Sequence, residues 1–169
     1  RGYDFEDGDL SGWIIVENGG TQAVTTNTAA GGRSSFTQTG AMGWAGSVRR
    51  YFNNCRPERI TFYVRTAATN ARAGFIEFDV PAVGFSSDSI ATFIMRENGT
   101  MGFYDSADFW FTLVPYDAHR WYKIAMLMDW TAYEFDYYLD DVLIESKLHF
   151  ITGSPYPSGI GSIWLRNCD

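Results

Sequence analysis

Two cysteines, two histidines and five prolines in 169 residues leave little of the usual raw material for metal centres, nucleophile–base pairs or proline-rich linkers. No apolar run approaches the roughly 20 residues that span a bilayer as a helix, so membrane insertion is not expected. The opening RGYDFEDG lacks the apolar core of a secretory leader. Basic residues are also short: 13 Lys and Arg against 20 Asp and Glu give a net charge of −7. With no basic stripe to track phosphates, nucleic acid is excluded as a partner. No stretch sustains a helical period, and neither an internal repeat nor a low-complexity segment is present.

Aromatic residues are abundant, at 17% (6 Trp, 10 Tyr, 13 Phe), alongside 17 glycines. That mixture suits half-buried strands joined by tight turns. The segment RWYKIAMLMDWTAYEFDYYLDDVLI (120–144) carries the clearest pattern. Trp121, Lys123, Ala125 and Leu127 alternate with Tyr122, Ile124, Met126 and Met128. After a turn at Asp129 to Ala132, Tyr133, Phe135, Tyr137 and Leu139 alternate with Glu134, Asp136, Tyr138 and Asp140. A period of two places alternate residues on opposite sheet faces. The first run, apolar on nearly both faces, reads as a central strand. Further strands are expected at TQAVTTN, SSFTQTG, SVRRYF, ITFYVRTA, GFIEFDVPAVGF, ATFIMRE, TMGFYDS, WFTLVPY and Ile160 to Arg166. Ten or more short strands with frequent turn signals predict an all-β, two-sheet antiparallel sandwich of jelly-roll type in one domain over 1–169. The start at Arg1 suggests a mature or excised piece of a larger extracellular protein.

DFEDG with LSGW, PERITFYVR, RENGTMGFYD and WYKIAMLMDWTAYEFDYYLDD, taken in order, resemble the concanavalin A-like, laminin G-like jelly-roll superfamily. Asp140-Asp141 stands where that pattern usually has Asp-Gly. The resemblance implies the fold. Because the superfamily includes lectins, adhesion modules, glycoside hydrolases and polysaccharide lyases, it implies no single activity. Members that hydrolyse β-glucans carry two glutamates about 5–5.5 Å apart on one strand face. Glu77-Phe78-Asp79-Val80-Pro81 offers only the first, with Pro81 and Ala82 at the possible positions of the second. Glu77 and Asp79 are therefore expected to form a solvated strand face, or to pair with Arg72 or Arg96, and no catalytic residue is assigned.

Four further readings concern sites. Cys168, next to last, and Cys55, in the turn NNCRPE, are expected to form a disulfide. It would close a loop of roughly 110 residues, stabilise by on the order of 4–5 kcal/mol and imply an oxidising compartment. The alternative is two free, buried thiols. Asn98-Gly99-Thr100 is both a glycosylation sequon at Asn98 and a two-residue type I′ hairpin turn. Asp4, Glu6, Asp7 and Asp9 crowd the first turn. Hard oxygen ligands suit calcium, so Glu6 and Asp7 are the candidates for a structural calcium ion, the one cofactor the sequence raises, against the plainer reading of an acidic turn. Finally, Trp44, Trp110, Tyr116, Trp130 and Tyr156 sit at loops or strand ends. They are the candidate sugar-stacking rings, since sugar C–H faces pack on aromatic faces, while Trp13, Trp121 and Trp164 read as core. The expected function is a non-catalytic extracellular binding or adhesion module for a glycan or an extracellular protein. The alternatives are a building block of an extracellular or surface assembly and a divergent glycan hydrolase or lyase.

Overall fold

A computed structural model describes residues 5–40, 46–71, 74–80, 89–104, 113–151 and 157–167. Among them are thirteen strands and no helix: β1 (Ile14–Asn18), β2 (Thr21–Thr25), β3 (Ser35–Thr39), β4 (Gly46–Cys55), β5 (Arg59–Val64), β6 (Gly74–Asp79), β7 (Ser89–Met95), β8 (Thr100–Tyr104), β9 (Val114–Pro115), β10 (Tyr122–Asp129), β11 (Glu134–Leu139), β12 (Val142–His149) and β13 (Ile160–Asn167). Every pairing is antiparallel. Seven strands form a large sheet in the order β1-β4-β13-β6-β7-β8-β9; four form a smaller one, β12-β11-β10-β5; β2 and β3 make a separate ribbon.

The alternation in 120–144 decides which faces meet. Tyr122, Ile124 and Met126 on β10 and Phe135 and Tyr137 on β11 are all buried. They pack on Phe78, Ala91, Phe93, Met101 and Phe103 of the large sheet. Ring contacts stitch the layers together. Phe62 meets Phe93 at 5.5 Å, Phe93 meets Phe103 at 5.3 Å, and Phe103 meets both Phe135 and Tyr137 at 5.0 Å, all edge-to-face. That geometry sets the positive ring edge on the negative ring face.

Turns follow from local chemistry. Asp129 Oδ1 accepts the backbone N–H groups of Thr131 (2.8 Å) and Ala132 (3.0 Å), closing the β10–β11 turn. Asp140 and Asp141 both adopt positive φ (49° and 67°), as a type I′ turn demands. Cations hold them there: Arg120 donates to Asp140 at 2.7 Å, and Lys123 Nζ donates to Asp141 at 2.7 and 2.9 Å. The β7–β8 connection corrects the expected two-residue turn. Gly99 N donates to Arg96 O and Arg96 N to Thr100 O. Gly99 lies at φ 75°, and Asn98 is not at positive φ. This is a type I turn closed by a left-handed glycine, the three-residue hairpin loop.

Candidate functional site

Residues two apart on a strand share a face. Since Phe78 points into the core, Glu77 and Asp79 point away from it, onto the outer face of the large sheet. The pairing registers extend this into two rows. One runs Tyr51, Ser162, Asp79 and Ser89; the next runs Ile14, Arg49, Trp164, Glu77 and Thr92. Polar and charged side chains thus occupy alternate positions on β4, β13, β6 and β7, the pattern of a face built for something other than apolar packing.

The expectation of a solvated carboxylate face is corrected. Asp79 is 1% exposed and Glu77 3%. Two other arginines, Arg49 and Arg166, lie against them, and Arg72 is outside the described residues. Arg49 Nη2 donates to Asp79 Oδ2 at 2.8 Å; Arg49 Nε and Nη2 donate to Ser162 Oγ at 3.0 and 2.9 Å; Ser89 Oγ donates to Asp79 Oδ1 at 2.9 Å. Arg166 Nη1 lies 3.7 Å from Glu77 Oε1. Burial pushes the Asp79 carboxyl up, while Ser89, Arg49 and Ser162 oppose the rise. Trp164 is buried, as expected of a core residue, and belongs to this layer too. Its ring lies beneath two guanidiniums, Arg166 at 4.2 Å and Arg49 at 4.8 Å. Its indole N–H has no hydrogen-bond partner among the described residues.

Exposure rises steeply along both rows towards β4 and β1. Ser89, Asp79 and Ser162 are at 0–1%, and then Tyr51 is at 59%. Arg49 is at 7%, and then Ile14 is at 54%. The face is therefore closed at its middle and open at its β4 margin. There the Tyr51 ring is backed by Arg49, whose guanidinium lies 5.1 Å from the ring centroid. A ring half in water, beside a donor fixed by two buried partners, can hold a ligand that combines an apolar face with hydrogen-bonding groups.

The rings expected as sugar platforms fare differently. Tyr116 is buried; its hydroxyl donates to Arg96 O at 2.8 Å and its N–H to Gly99 O at 3.0 Å. It props the β7–β8 turn and presents no ring to a ligand. Trp130 is half-buried: its Nε1 donates to Pro57 O at 2.9 Å, and its ring packs edge-to-face on Phe150 at 5.2 Å. Trp44, Trp110 and Tyr156 lie outside the described residues.

Glu6 is already engaged. Its carboxylate accepts the N–H groups of Arg33 (2.7 Å) and Ser34 (3.0 Å), and these bonds hold its pKa below the usual range. Gly32, at φ 76°, lies hard against that carboxylate, so a side chain there would be strained and would push the carboxylate aside. Asp7 is exposed. Among the described residues no three His, Cys, Asp or Glu side chains gather as a metal site. The Cys55–Cys168 pairing is overturned. Cys55 is a free thiol. In the β4–β13 register Ile160 faces Cys55 while Asn167 faces Gly46, at the far end of β4. Nine residues of strand span about 30 Å, whereas disulfide Cα atoms lie within about 7 Å. Cys168 itself lies outside the described residues. Asn98 is exposed at its hairpin, its Oδ1 accepting Thr100 Oγ1 at 2.6 Å.

Sequence reasoning missed Arg49, Tyr51, Ser162 and Arg166. The available signal was the alternation of polar residues in SVRRY and SIWLR, on strands whose other residues face the core.

The architecture is the concanavalin A-like, laminin G-like jelly roll, as the solved structures with this fold make plain. A sialidase superposes with a TM-score of 0.68 at 12% identity, over 100% of this chain and 15% of its own. Domain 4 of AbnA, a GH43 extracellular arabinanase from Geobacillus stearothermophilus solved in complex with arabinotriose, gives a TM-score of 0.51 at 15% identity, over 98% of this chain and 90% of its own. A Trypanosoma rangeli sialidase gives 0.53 at 14% identity, over 94% and 27%. The chain thus spans about a seventh of the first sialidase and about a quarter of the second. No family model matches the sequence, and no curated protein matches it.

Proposed function

We propose that this chain is a non-catalytic, extracellular carbohydrate-binding module whose ligand lies along the β4 margin of the large sheet's outer face. The observation that carries this reading is the exposed Tyr51 ring backed by Arg49, with the Arg49 guanidinium held by Asp79 and Ser162. A sugar would stack its C–H face on Tyr51 and turn hydroxyls towards the fixed donor. The fold shared with an arabinanase domain solved with arabinotriose, in an extracellular enzyme, agrees with this reading. A hydrolase or lyase is disfavoured, because Glu77 and Asp79 are buried against Arg166 and Arg49 and so are not poised to exchange protons with a substrate.

A glycan array probed with the wild-type chain and with Tyr51→Ala tests the proposal. Binding by the first and its loss in the second, at unchanged thermal stability, is the expected result. A blank array for the wild type refutes it. A second reading, as a building block of an extracellular assembly, is favoured by Ile14, Ile15 and Val16, all about half exposed on edge strand β1. Unprotected sheet edges invite pairing with another chain. Sedimentation velocity across a concentration series tests this reading, which requires concentration-dependent growth that Ile15→Lys abolishes.

A further inference from the structure

We infer that the ligand of the outer face is an uncharged glycan, and that acidic sugars (uronates, sialates, sulfated units) are rejected. This rests on the carbohydrate-binding reading above and goes further, by fixing the electrostatic class of the ligand.

Among the described residues the two rows and Arg166 beside them carry four charged side chains: Arg49, Arg166, Glu77 and Asp79. They cancel in pairs, Arg49 with Asp79 at 2.8 Å and Arg166 with Glu77 at 3.7 Å. Over these four side chains the charges sum to zero, and Glu17, in register with Ser47 and Arg166, adds no positive charge. A carboxylate or sulfate ligand needs a guanidinium that is not already matched, usually through a two-pronged contact. Here the guanidinium at the open margin belongs to Arg49. Its Nη2 is shared between Asp79 and Ser162, and its Nε points to Ser162. Drawing Arg49 outwards to an anion would strand Asp79, at 1% exposure, without its counter-ion, which is strongly unfavourable.

The field of the whole chain points the same way. A net charge of −7 repels a polyanion on approach and leaves a neutral chain unaffected. A sugar hydroxyl both donates and accepts. It is suited to a margin that offers the Tyr51 hydroxyl, itself donor and acceptor.

Isothermal titration of the intact chain tests this with neutral arabino-, fructo- and gluco-oligosaccharides against oligogalacturonate, sialyllactose and a sulfated oligosaccharide, at low and high NaCl. The expected result is binding to a neutral ligand that is lost in Tyr51→Ala. Its affinity should change by less than about twofold between low and high salt, because no charge–charge attraction is there to be screened. Acidic ligands should bind at least about tenfold more weakly, given the unmatched buried charge they would create. Tighter binding of an acidic ligand, weakening as salt rises, overturns the inference and leaves the carbohydrate-binding reading standing. Neutral binding that survives in Tyr51→Ala overturns the placement on this face. Failure of every oligosaccharide to bind overturns both readings.

Discussion

Arg49 on β4 reaches across an intervening strand to Asp79 on β6, closing at 2.8 Å. The strand between them, β13, contributes Ser162. Its small side chain lets the guanidinium pass and supplies an oxygen that accepts from both Nε and Nη2. Neighbouring strands lie about 4.8 Å apart, so the contact ties three strands together on the face away from the aromatic core. With both partners buried, removing one leaves an uncompensated charge. Asp79→Ala is therefore expected to cost about 3–5 kcal/mol. The double variant Arg49→Met/Asp79→Leu should recover most of that loss, because the charges leave together. Urea denaturation of the three proteins measures it. A single variant as stable as wild type would show that the pair carries no such weight.

Tyr137 makes the opposite case. Its ring is packed against Phe103 at 5.0 Å, but its hydroxyl is buried with no hydrogen-bond partner among the described residues, and burial pushes the phenol pKa well up. A buried, unsatisfied hydroxyl costs roughly 1–3 kcal/mol. Tyr137→Phe keeps the ring contact and removes that penalty, so it should raise stability by about 1 kcal/mol. A lower unfolding midpoint in Tyr137→Phe would contradict this account.

The contrast between these two sites explains what the sequence could and could not reveal. The 120–144 hairpin was legible because alternation with period two fixes which side chains face the core. Tyr122, Ile124, Met126, Phe135 and Tyr137 are buried as that alternation requires. The outer face was not legible. Glu77 and Asp79 look like a wet face because alternation assigns a side and says nothing of what covers it. Their partners Arg166 and Arg49 come from strands 89 and 30 residues away in sequence, joined only by register. The disulfide misled for a related reason. Cys55 sits near one terminus of β4 and the last residues of β13 lie at the other, and only the register reveals that separation. Tyr116 was misplaced because a tyrosine after a proline reads as an exposed loop, whereas its hydroxyl is spent on Arg96 O.

The free thiol at Cys55 gives a simple check on that correction. Burial raises its pKa, so the thiol reacts slowly at neutral pH and faster as pH rises. Ellman titration of the folded chain should detect it, and dithiothreitol should leave the melting temperature unchanged. A Cys55–Cys168 bridge would instead contribute on the order of 4–5 kcal/mol by the chain-entropy estimate, and its reduction would lower the melting temperature sharply.

Acid stability follows from carboxylates that accept hydrogen bonds in the turns. Glu6 is held below its ordinary 4.5 by the Ser34 and then the Arg33 amide. Asp9 is held below 3.8 by Ser11, Asp129 by the Ala132 and Thr131 amides, and Asp141 by Lys123. A carboxyl whose folded value lies below its unfolded one resists protonation in the fold. Its stabilisation is complete above the unfolded value and is lost as pH falls through the folded one. Asp79, raised chiefly by burial, has the reverse sign: the fold binds its proton more tightly, so its contribution grows as pH falls. Among the described residues these four depressed groups oppose the raised Asp79, so the melting temperature should fall as pH drops below the ordinary values of 3.8 to 4.5. Asp129→Asn isolates one of them. An asparagine oxygen still accepts the Thr131 and Ala132 amides, so the β10–β11 turn survives, but this position no longer titrates. Thermal melts from neutral pH down to strongly acid pH should show a shallower loss in the variant than in wild type. Parallel curves would mean that the Asp129 turn contributes nothing to the acid limb.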